Sequence, residues 1–184
     1  MNDFLIIDKE EYLNNLLKYQ NIKKLEIHDI VLSNYNLNII SKLNLNRLIF
    51  INCVIENLSL ITNLELIELQ IINCEFDDFE YINDFNLLEN LTLQKLKEID
   101  LKYLPIIKKI KKLDLADSYI KNEEYIIFCN KLEELRISGT NLTDLSLLLP
   151  LNLKKLIIDT NRCDNVELLP KTIKIIDEIG SKYD

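Results

Sequence analysis

The sequence predicts an α/β solenoid, in which short parallel strands stack into a sheet and short helices return the chain on the opposite side. Three observations predict this fold class. One pattern, apolar-x-x-apolar-x-apolar, recurs every 20 to 23 residues. Its fourth and sixth positions alternate with polar residues, as in a half-buried strand. Apolar residues at positions 14 and 17 follow most strands, and this spacing of three indicates 3₁₀ or short helical turns.

Seven copies of the pattern follow one another without interruption. They begin at Ile22, Leu45, Leu66, Leu88, Ile110, Leu132 and Leu153. An eighth, degraded copy begins at Ile173. Because each unit of a solenoid buries its apolar face only against its neighbours, the fixed period indicates one continuous core and a binding function rather than a catalytic one.

The repeats occupy residues 22–178, with a capping segment at 1–21 before them and a tail at 179–184 after them. The stretch Asp8-Lys-Glu-Glu11 has the spacing of a capping box. It predicts a helix that continues to about Tyr19. Four side chains would share the apolar face of this helix: Tyr12, Leu13, Leu16 and Leu17. With Phe4–Ile7, the helix would cover the open end of the first repeat.

The repeats resemble the leucine-rich repeat family, whose core motif is L-x-x-L-x-L-x-x-N-x-L. The segment from Leu132 to Leu148 is similar to this motif almost position by position. The period of about 22 residues looks like the short class found in phosphatase regulatory subunits and bacterial internalins. This resemblance implies a curved horseshoe with a parallel sheet on its concave face and 3₁₀ or short helices on its convex face. It also implies protein binding without catalysis. Small proteins made only of such repeats occur in large AT-rich DNA viruses, and the chain is similar to them.

Position 9 is Asn in the family, where its side chain hydrogen-bonds the backbone as the strand ends. Here the position is filled by Ile30, Cys53, Cys74, Leu96, Ser118, Thr140 and Asn161. Cys, Ser and Thr can replace Asn in this role, but Leu96 cannot. In the same repeat the next apolar residue, Ile99, comes one residue late. The fourth repeat should therefore have an irregular loop after its strand.

The charge of the chain excludes some partners. There are 30 acidic and 22 basic residues, a net charge of −8, which disfavours nucleic acid and anionic membranes. Only two glycines are present, so a glycine-rich phosphate loop is not expected. The N-terminus has neither the basic region nor the apolar stretch of a signal peptide. No apolar run approaches the ~20 residues of a membrane span. These observations predict a cytoplasmic protein.

The four cysteines lack metal-ligand spacing, since none form a C-x-x-C pair. Cys53 and Cys74 occupy the same position in adjacent repeats, so their Cα atoms should lie roughly 5 Å apart. Two readings remain open, a disulfide and two buried thiols, and a reducing compartment favours the thiols. We expect no metal site and no cofactor.

The single histidine is the one candidate general base. His28 lies two residues after Glu26, on the same side of the first repeat strand, so the two could form an acid–base pair. No nucleophile or oxyanion-binding arrangement accompanies them. An enzyme using His28 is therefore the most distant of the functional hypotheses.

Positions 3, 5 and 7 of every repeat should line the side of the sheet that points away from the core. We name this side the strand face; in such a solenoid it is the concave face. In the C-terminal half neighbouring residues at these positions alternate in charge and should mainly support the fold: Lys112, Glu134 and Lys155 at position 3, and Asp114 beside Arg136 at position 5. In the second and third repeats they include an apolar cluster, expected to be exposed. The predicted partner-binding residues are Ile49, Ile51 and Ile72, with Arg47, Glu68, Gln70 and His28 around them.

The leading functional hypothesis is a non-enzymatic interaction module that binds a protein partner through the strand face. The alternative is a structural protein that associates with itself, through the thinly capped C-terminal end and the isoleucine cluster. The expected state in solution is a monomer or a weak homodimer.

Overall fold

The computed structural model describes residues 3–77, 79–106 and 109–179. Two compact units divide the chain between Leu88 and Glu89. Four strands of the first unit lie in a parallel sheet in chain order: β1 (Phe4–Ile7), β2 (Lys24–His28), β4 (Arg47–Ile51) and β6 (Glu68–Ile72). Two short strands, β3 (Val31–Leu32) and β5 (Val54–Ile55), pair with each other. Helices α1 (Glu10–Leu13) and α2 (Asn34–Ile40) and 3₁₀ turns at Leu16–Lys18, Leu58–Ile61 and Phe79–Asp84 return the chain.

The second unit repeats this arrangement with five main strands. They are β7 (Asn90–Gln94), β9 (Lys112–Asp114), β11 (Glu134–Arg136), β12 (Lys155–Ile158) and β13 (Lys174–Asp177), again parallel and in chain order. The short strands β8 (Ile99–Asp100) and β10 (Ile120–Lys121) pair with each other. The 3₁₀ turns lie at Leu101–Ile106, Glu123–Phe128, Leu145–Leu148, Thr160–Arg162 and Val166–Leu168.

The predicted fold class is confirmed in both units. Residues at position 4 pair in register from strand to strand, as in Leu25 with Leu48 and Leu48 with Leu69. Every apolar side chain at positions 4 and 6 of the seven repeats is buried. Burying a Leu or Ile contributes roughly 1.5–3 kcal/mol, so these two rows form the centre of the core.

A residue with positive φ directly follows each of the strands β2, β4 and β6. In the first unit these residues are Asp29, Asn52 and Asn73, with φ of 56°, 54° and 52°. Asp and Asn tolerate this left-handed conformation better than other residues with a Cβ. Their side chains also form a ladder: Asn52 Nδ2 donates to Asp29 Oδ1 at 2.9 Å and Asn73 Nδ2 to Asn52 Oδ1 at 2.8 Å.

Position 9 provides the predicted hydrogen bonds to the backbone. The amide of Cys53 donates to the Sγ of Cys74 at 3.3 Å. The amide of Leu96 donates to the Oγ of Ser118 at 3.1 Å, and this hydroxyl donates to the carbonyl of Leu93 at 3.2 Å. All four cysteines are free thiols. Cys53 and Cys74 are therefore two buried thiols in this structure, and they do not form a disulfide.

The irregular loop predicted for the fourth repeat is confirmed. Ile99, at position 12, pairs with Ile120, which stands at position 11 of the next repeat. One residue is therefore inserted between Leu96 and Ile99. Ile99 remains fully buried while Glu98 beside it is exposed, because the insertion delivers the apolar side chain to the core one residue late.

The prediction for the N-terminal helix is wrong in two respects. The N-cap residue of α1 is Lys9, which makes no side-chain capping bond, and the helix ends at Leu13. Leu13 and Leu16 are buried as predicted, but Tyr12 and Leu17 are exposed. The helix is too short for four side chains to share one face. A capping box is instead present at Ser33 and Asn36, at the start of α2.

The eighth repeat forms a strand, but its register differs by one residue from the sequence assignment. Ile175 pairs with Leu156 and Asp177 with Ile158. Position 4 is therefore Ile175 instead of Ile176, and Glu178 moves from position 6 to position 7. The carboxylate of Asp177 accepts hydrogen bonds of 2.8 Å from the amide and hydroxyl of Thr160, which compensates for its place in a core row.

The alternation along β7 predicts very different costs for neighbouring substitutions. Leu91 is buried, whereas Thr92 lies on the strand face and is half-buried. Leu91→Ala should lower the free energy of unfolding by ~2–5 kcal/mol because it leaves a cavity. Thr92→Ala should cost far less. Urea denaturation of both variants measures the difference, and equal losses would contradict the register.

Burial predicts the order in which the cysteines react. Burial raises the pKa of Cys129 to about 11, and the contact with Cys53, with burial, raises the pKa of Cys74. The same contact lowers the pKa of Cys53 to about 7, so Cys53 is protected by its burial alone. Cys163 is only half-buried. In a timed reaction with a thiol reagent, Cys163 should be labelled first, and the other three only as the chain unfolds. Reducing agent should change neither mass nor melting temperature. Rapid labelling of Cys53 in the folded protein would contradict this assignment.

Candidate functional site

The strand face of the first unit brings all seven predicted site residues onto neighbouring strands. Its position 3 carries Lys24, Arg47 and Glu68, its position 5 carries Glu26, Ile49 and Gln70, and its position 7 carries His28, Ile51 and Ile72. Each row is in register across β2, β4 and β6. The placement of the residues therefore agrees with the sequence prediction, although their exposure does not agree at every position.

Ile49 is not an exposed residue, and the expectation that it would be exposed is wrong. Only 5% of its surface is accessible. Its cross-strand neighbours are Glu26 on one side and Gln70 on the other. Side chains directly opposite each other in a sheet have Cβ atoms about 5 Å apart, so these two longer residues cover it. Ile49 therefore packs beneath the neighbouring side chains of the strand face and has little accessible surface for a partner to contact.

Ile51 and Ile72 remain accessible at the end of their strands. They are direct cross-strand partners, and both are half-buried. His28 flanks Ile51 in the same row. The apolar surface of the site is therefore a pair of isoleucines, with the histidine ring at one end of the row.

A hydrogen-bonded polar group borders this pair on the side of position 3. Glu68 accepts from Gln70 Nε2 at 2.6 Å through one carboxylate oxygen and contacts Arg47 Nε at 3.4 Å through the other. The Arg47 side chain is largely exposed. The carboxylate thus fixes the glutamine amide, while the guanidinium stays accessible for further contacts.

His28 lies where the acid–base reading of the sequence placed it. Its Nε2 is 2.7 Å from Glu26 Oε1, and the other oxygen of Glu26 is 3.4 Å from Lys24 Nζ. The carboxylate is shared between two neighbours and orients the imidazole over the end of β2. This arrangement gives His28 a fixed ring beside Ile51, which suits a contact residue as well as it would suit a base.

Sequence reasoning missed two apolar residues on the same face. Phe4 and Ile6 of β1 pair in register with Lys24 and Glu26, and Ile6 is 53% exposed. Lys24 Nζ lies 4.2 Å from the centre of the Phe4 ring, a cation–π contact. The apolar run from Phe4 to Ile7 shows no alternation, so it did not reveal which side faces outward. Its spacing of 20 residues from β2 was the available signal.

The strand face of the second unit is occupied by ion pairs, as the alternating charges predicted. Arg136 Nη1 is 3.2 Å from Asp114 Oδ2, and Lys112 Nζ is 2.8 Å from Glu134 Oε1. Sequence reasoning missed Glu178, which receives hydrogen bonds from Arg136 Nε at 2.7 Å and Nη2 at 2.9 Å. These hydrogen bonds lower the pKa of Glu178. The guanidinium is thus held by two carboxylates and is not free for a partner.

The described residues contain no group of three His, Cys, Asp or Glu side chains that could hold a metal ion. Within the same described ranges, no helix has the length and apolar character required to cross a membrane.

The sequence matches no protein-family model and no curated protein significantly. Several solved structures have a similar fold. The internalin InlF of Listeria monocytogenes superposes with a TM-score of 0.60 at 21% identity over 76% of this chain, which spans only 42% of that protein. Internalin C2 of the same organism gives 0.57 at 16% identity, over 87% of this chain and 81% of the other.

Two more distant proteins share the architecture. A leucine-rich repeat protein of Leptospira interrogans gives a TM-score of 0.52 at 17% identity, over 89% of this chain and 50% of that one. A plant peptide hormone receptor, RGFR1, in complex with RGF2, gives 0.53 at 11% identity, over 95% and 31%. These proteins are bacterial and plant, and they do not support the viral resemblance. The repeats, the parallel strands in chain order and these similarities show that the chain has the leucine-rich repeat solenoid fold.

Proposed function

We propose that the protein is an interaction module without chemistry of its own, and that it binds a protein partner through the strand face of the first unit. Ile51 and Ile72 are the apolar anchor. His28, Arg47, Glu68 and Gln70 form the polar border. The observation that carries the proposal is this half-exposed isoleucine pair, enclosed by side chains that are already held by hydrogen bonds.

The arrangement has the usual composition of a binding hot spot, an apolar centre inside a polar rim. The rim is also preorganised. Glu68 fixes Gln70, and Glu26 fixes His28, so a partner would lose little conformational entropy in ordering them. Arg47 stays exposed and can donate to a carboxylate or carbonyl of the partner.

The charges of the face indicate what kind of partner fits. Lys24 and Arg47 balance Glu26 and Glu68, so the surface has no strong sign in spite of the acidic chain. Four strands at ~4.8 Å spacing give a width of about 14 Å, enough for a helix or an extended loop. A partner segment with an apolar side chain and mixed polar flanks is therefore favoured over nucleic acid, which requires a basic surface.

The similar structures are consistent with this proposal. One of them is a plant peptide hormone receptor in complex with RGF2, and it shares the fold of this chain. The fold is known for many different binding tasks, so the residues of the face, not the fold, must specify the partner.

The proposal predicts that Ile51→Asp with Ile72→Asp abolishes partner binding while the chain stays folded. Two buried charges would replace the apolar anchor in the complex, whereas the free protein can hydrate them. Because both side chains are half-buried, unfolding should become easier by roughly 2 kcal/mol, equivalent to about 5 °C in melting temperature. Quantitative affinity capture from lysate, with wild-type and variant protein side by side, measures the loss, and thermal melting measures the fold.

Val31→Asp with Val54→Asp is the matched control. These two residues are also exposed β-branched cross-strand partners in the first unit, but they lie on β3 and β5, away from the strand face. This variant should bind as the wild type does, and so should Asp114→Ala with Arg136→Ala. Captured proteins that are retained by the Ile51/Ile72 variant and lost from the control variant would contradict the proposed surface.

A further inference from the structure

We propose that β1, the first strand of the first unit, and β13, the last strand of the second unit, are complementary to each other, and that copies of the protein associate head to tail through β13 of one copy and β1 of the next. Among the described residues, β1 pairs in the sheet only with β2, and β13 only with β12. A strand with one neighbour presents unpaired backbone amides and carbonyls to any extended segment that fits. The fitting segment here is a second copy of the same chain.

The repeat positions of the two strands fix how they would pair. Phe4 pairs with Lys24, and Lys174 with Lys155, so Phe4 and Lys174 both stand at position 3. In the same way, Leu5 and Ile175 both stand at position 4, and Ile6 and Ile176 both stand at position 5. If β13 continued the parallel ladder onto β1, three of the four side-chain pairs would therefore be favourable contacts.

The pair at position 3 repeats a contact that the protein already makes. Lys24 Nζ stands 4.2 Å from the centre of the Phe4 ring on one side. Lys174, one strand spacing away on the other side, would give the ring a second ammonium neighbour. The Lys174 side chain is exposed and has no competing ion pair among the described residues, so it is available for this contact.

The pair at position 5 would bury apolar surface that is now in water. Ile6 is the most exposed residue of β1, and Ile176 is half-buried next to Ile157. At position 6, Ile7 would meet Asp177, whose carboxylate already accepts two hydrogen bonds from Thr160. Asp177 would therefore enter the contact with its hydrogen bonds satisfied.

The segments behind the two strands match as well. An open hollow of about 430 Å³ lies against β1, lined by Leu5, Ile6, Tyr12, Lys18 and Tyr19 among others. At the other end, Leu168 of the last 3₁₀ turn and Ile179 after β13 are strongly exposed. In a head-to-tail stack each return segment lies over the next, as it does between repeats, so Leu168 would approach the hollow of the next copy. Tyr12, whose exposure the helix pattern did not predict, lines this hollow and would be covered in such a stack.

A contact of this kind is heterologous, because the two surfaces are different, and it leads to open chains or larger rings of copies instead of the two-fold symmetric dimer of an isologous contact. Sedimentation velocity of the full chain over a concentration series is the direct test. The average mass should rise steadily above the 21.7 kDa of a monomer, without stopping at twice that value. A mass of 21.7 kDa at every concentration would overturn the proposal.

Two variants separate this contact from any other self-association. Ile6→Lys disables the β1 end and Ile176→Lys the β13 end, and each should weaken association on the order of 30-fold or more. Mixed in equal amounts, the two variants should form a heterodimer that does not grow further, because each contributes one intact end. Single variants that associate normally, or a mixture that stays monomeric, would contradict the proposal.

Two further variants serve as controls, one for unfolding and one for the general effect of an added charge. Lys174→Glu changes an exposed side chain at the β13 end and should weaken association without lowering the melting temperature. Val31→Lys adds the same charge as Ile6→Lys at an exposed site outside both ends, and it should associate as the wild type does. Loss of association in Val31→Lys equal to that in Ile6→Lys would mean that charge alone, and not the end surfaces, controls the assembly.

Discussion

Parallel pairing of each strand with the next in the same register is the constraint on which the rest of this structure depends. A single repeat buries nothing by itself, because its two apolar strand residues need the equivalent residues of a neighbour to cover them. The register that places Leu25, Leu48 and Leu69 side by side therefore aligns the backbone hydrogen bonds and also forms the core of the first unit. The buried residues after the strands, including the free thiols and Ser118, keep this register by hydrogen-bonding the backbone where the chain turns.

The same register decides what the outer side of the sheet can do. In the second unit, cross-strand neighbours at positions 3 and 5 have opposite charges, and Glu178 adds a second carboxylate to Arg136. That surface is satisfied internally. In the first unit the cross-strand neighbours at position 7 include two isoleucines, Ile51 and Ile72, and both remain half-buried. Two units built on one pattern therefore present different surfaces, because the cross-strand pairs that their registers create differ in chemistry.

The ends of a solenoid pose a separate problem, since the stacking that builds the core leaves a strand edge at each side. Among the described residues, β1 carries Phe4 and Ile6 and β13 carries Ile175 and Ile176, and exposed apolar side chains lie near both strands. In our proposal these two strands match each other at three of four positions, and a second copy of the chain would fit them. The two proposals, protein binding at Ile51 and Ile72 and association through β1 and β13, rest on different residues and are compatible with each other.

The sequence by itself determined the fold, the number and spacing of the strands, the two core rows and the inserted residue near Ile99, because these follow from a period and from a burial pattern that repeats seven times. It also placed all seven candidate site residues on one face. Only the tertiary structure decided which of them are accessible: Ile49 is covered by longer neighbours on adjacent strands, and such coverage depends on pairs that are distant in the chain. The register of β13, the partnership of Glu178 with Arg136 and the outward side of β1 were decided in the same way. In each case the local pattern of apolar and polar residues was degraded or uniform. Pairing with the neighbouring strand therefore determined which side chains face outward.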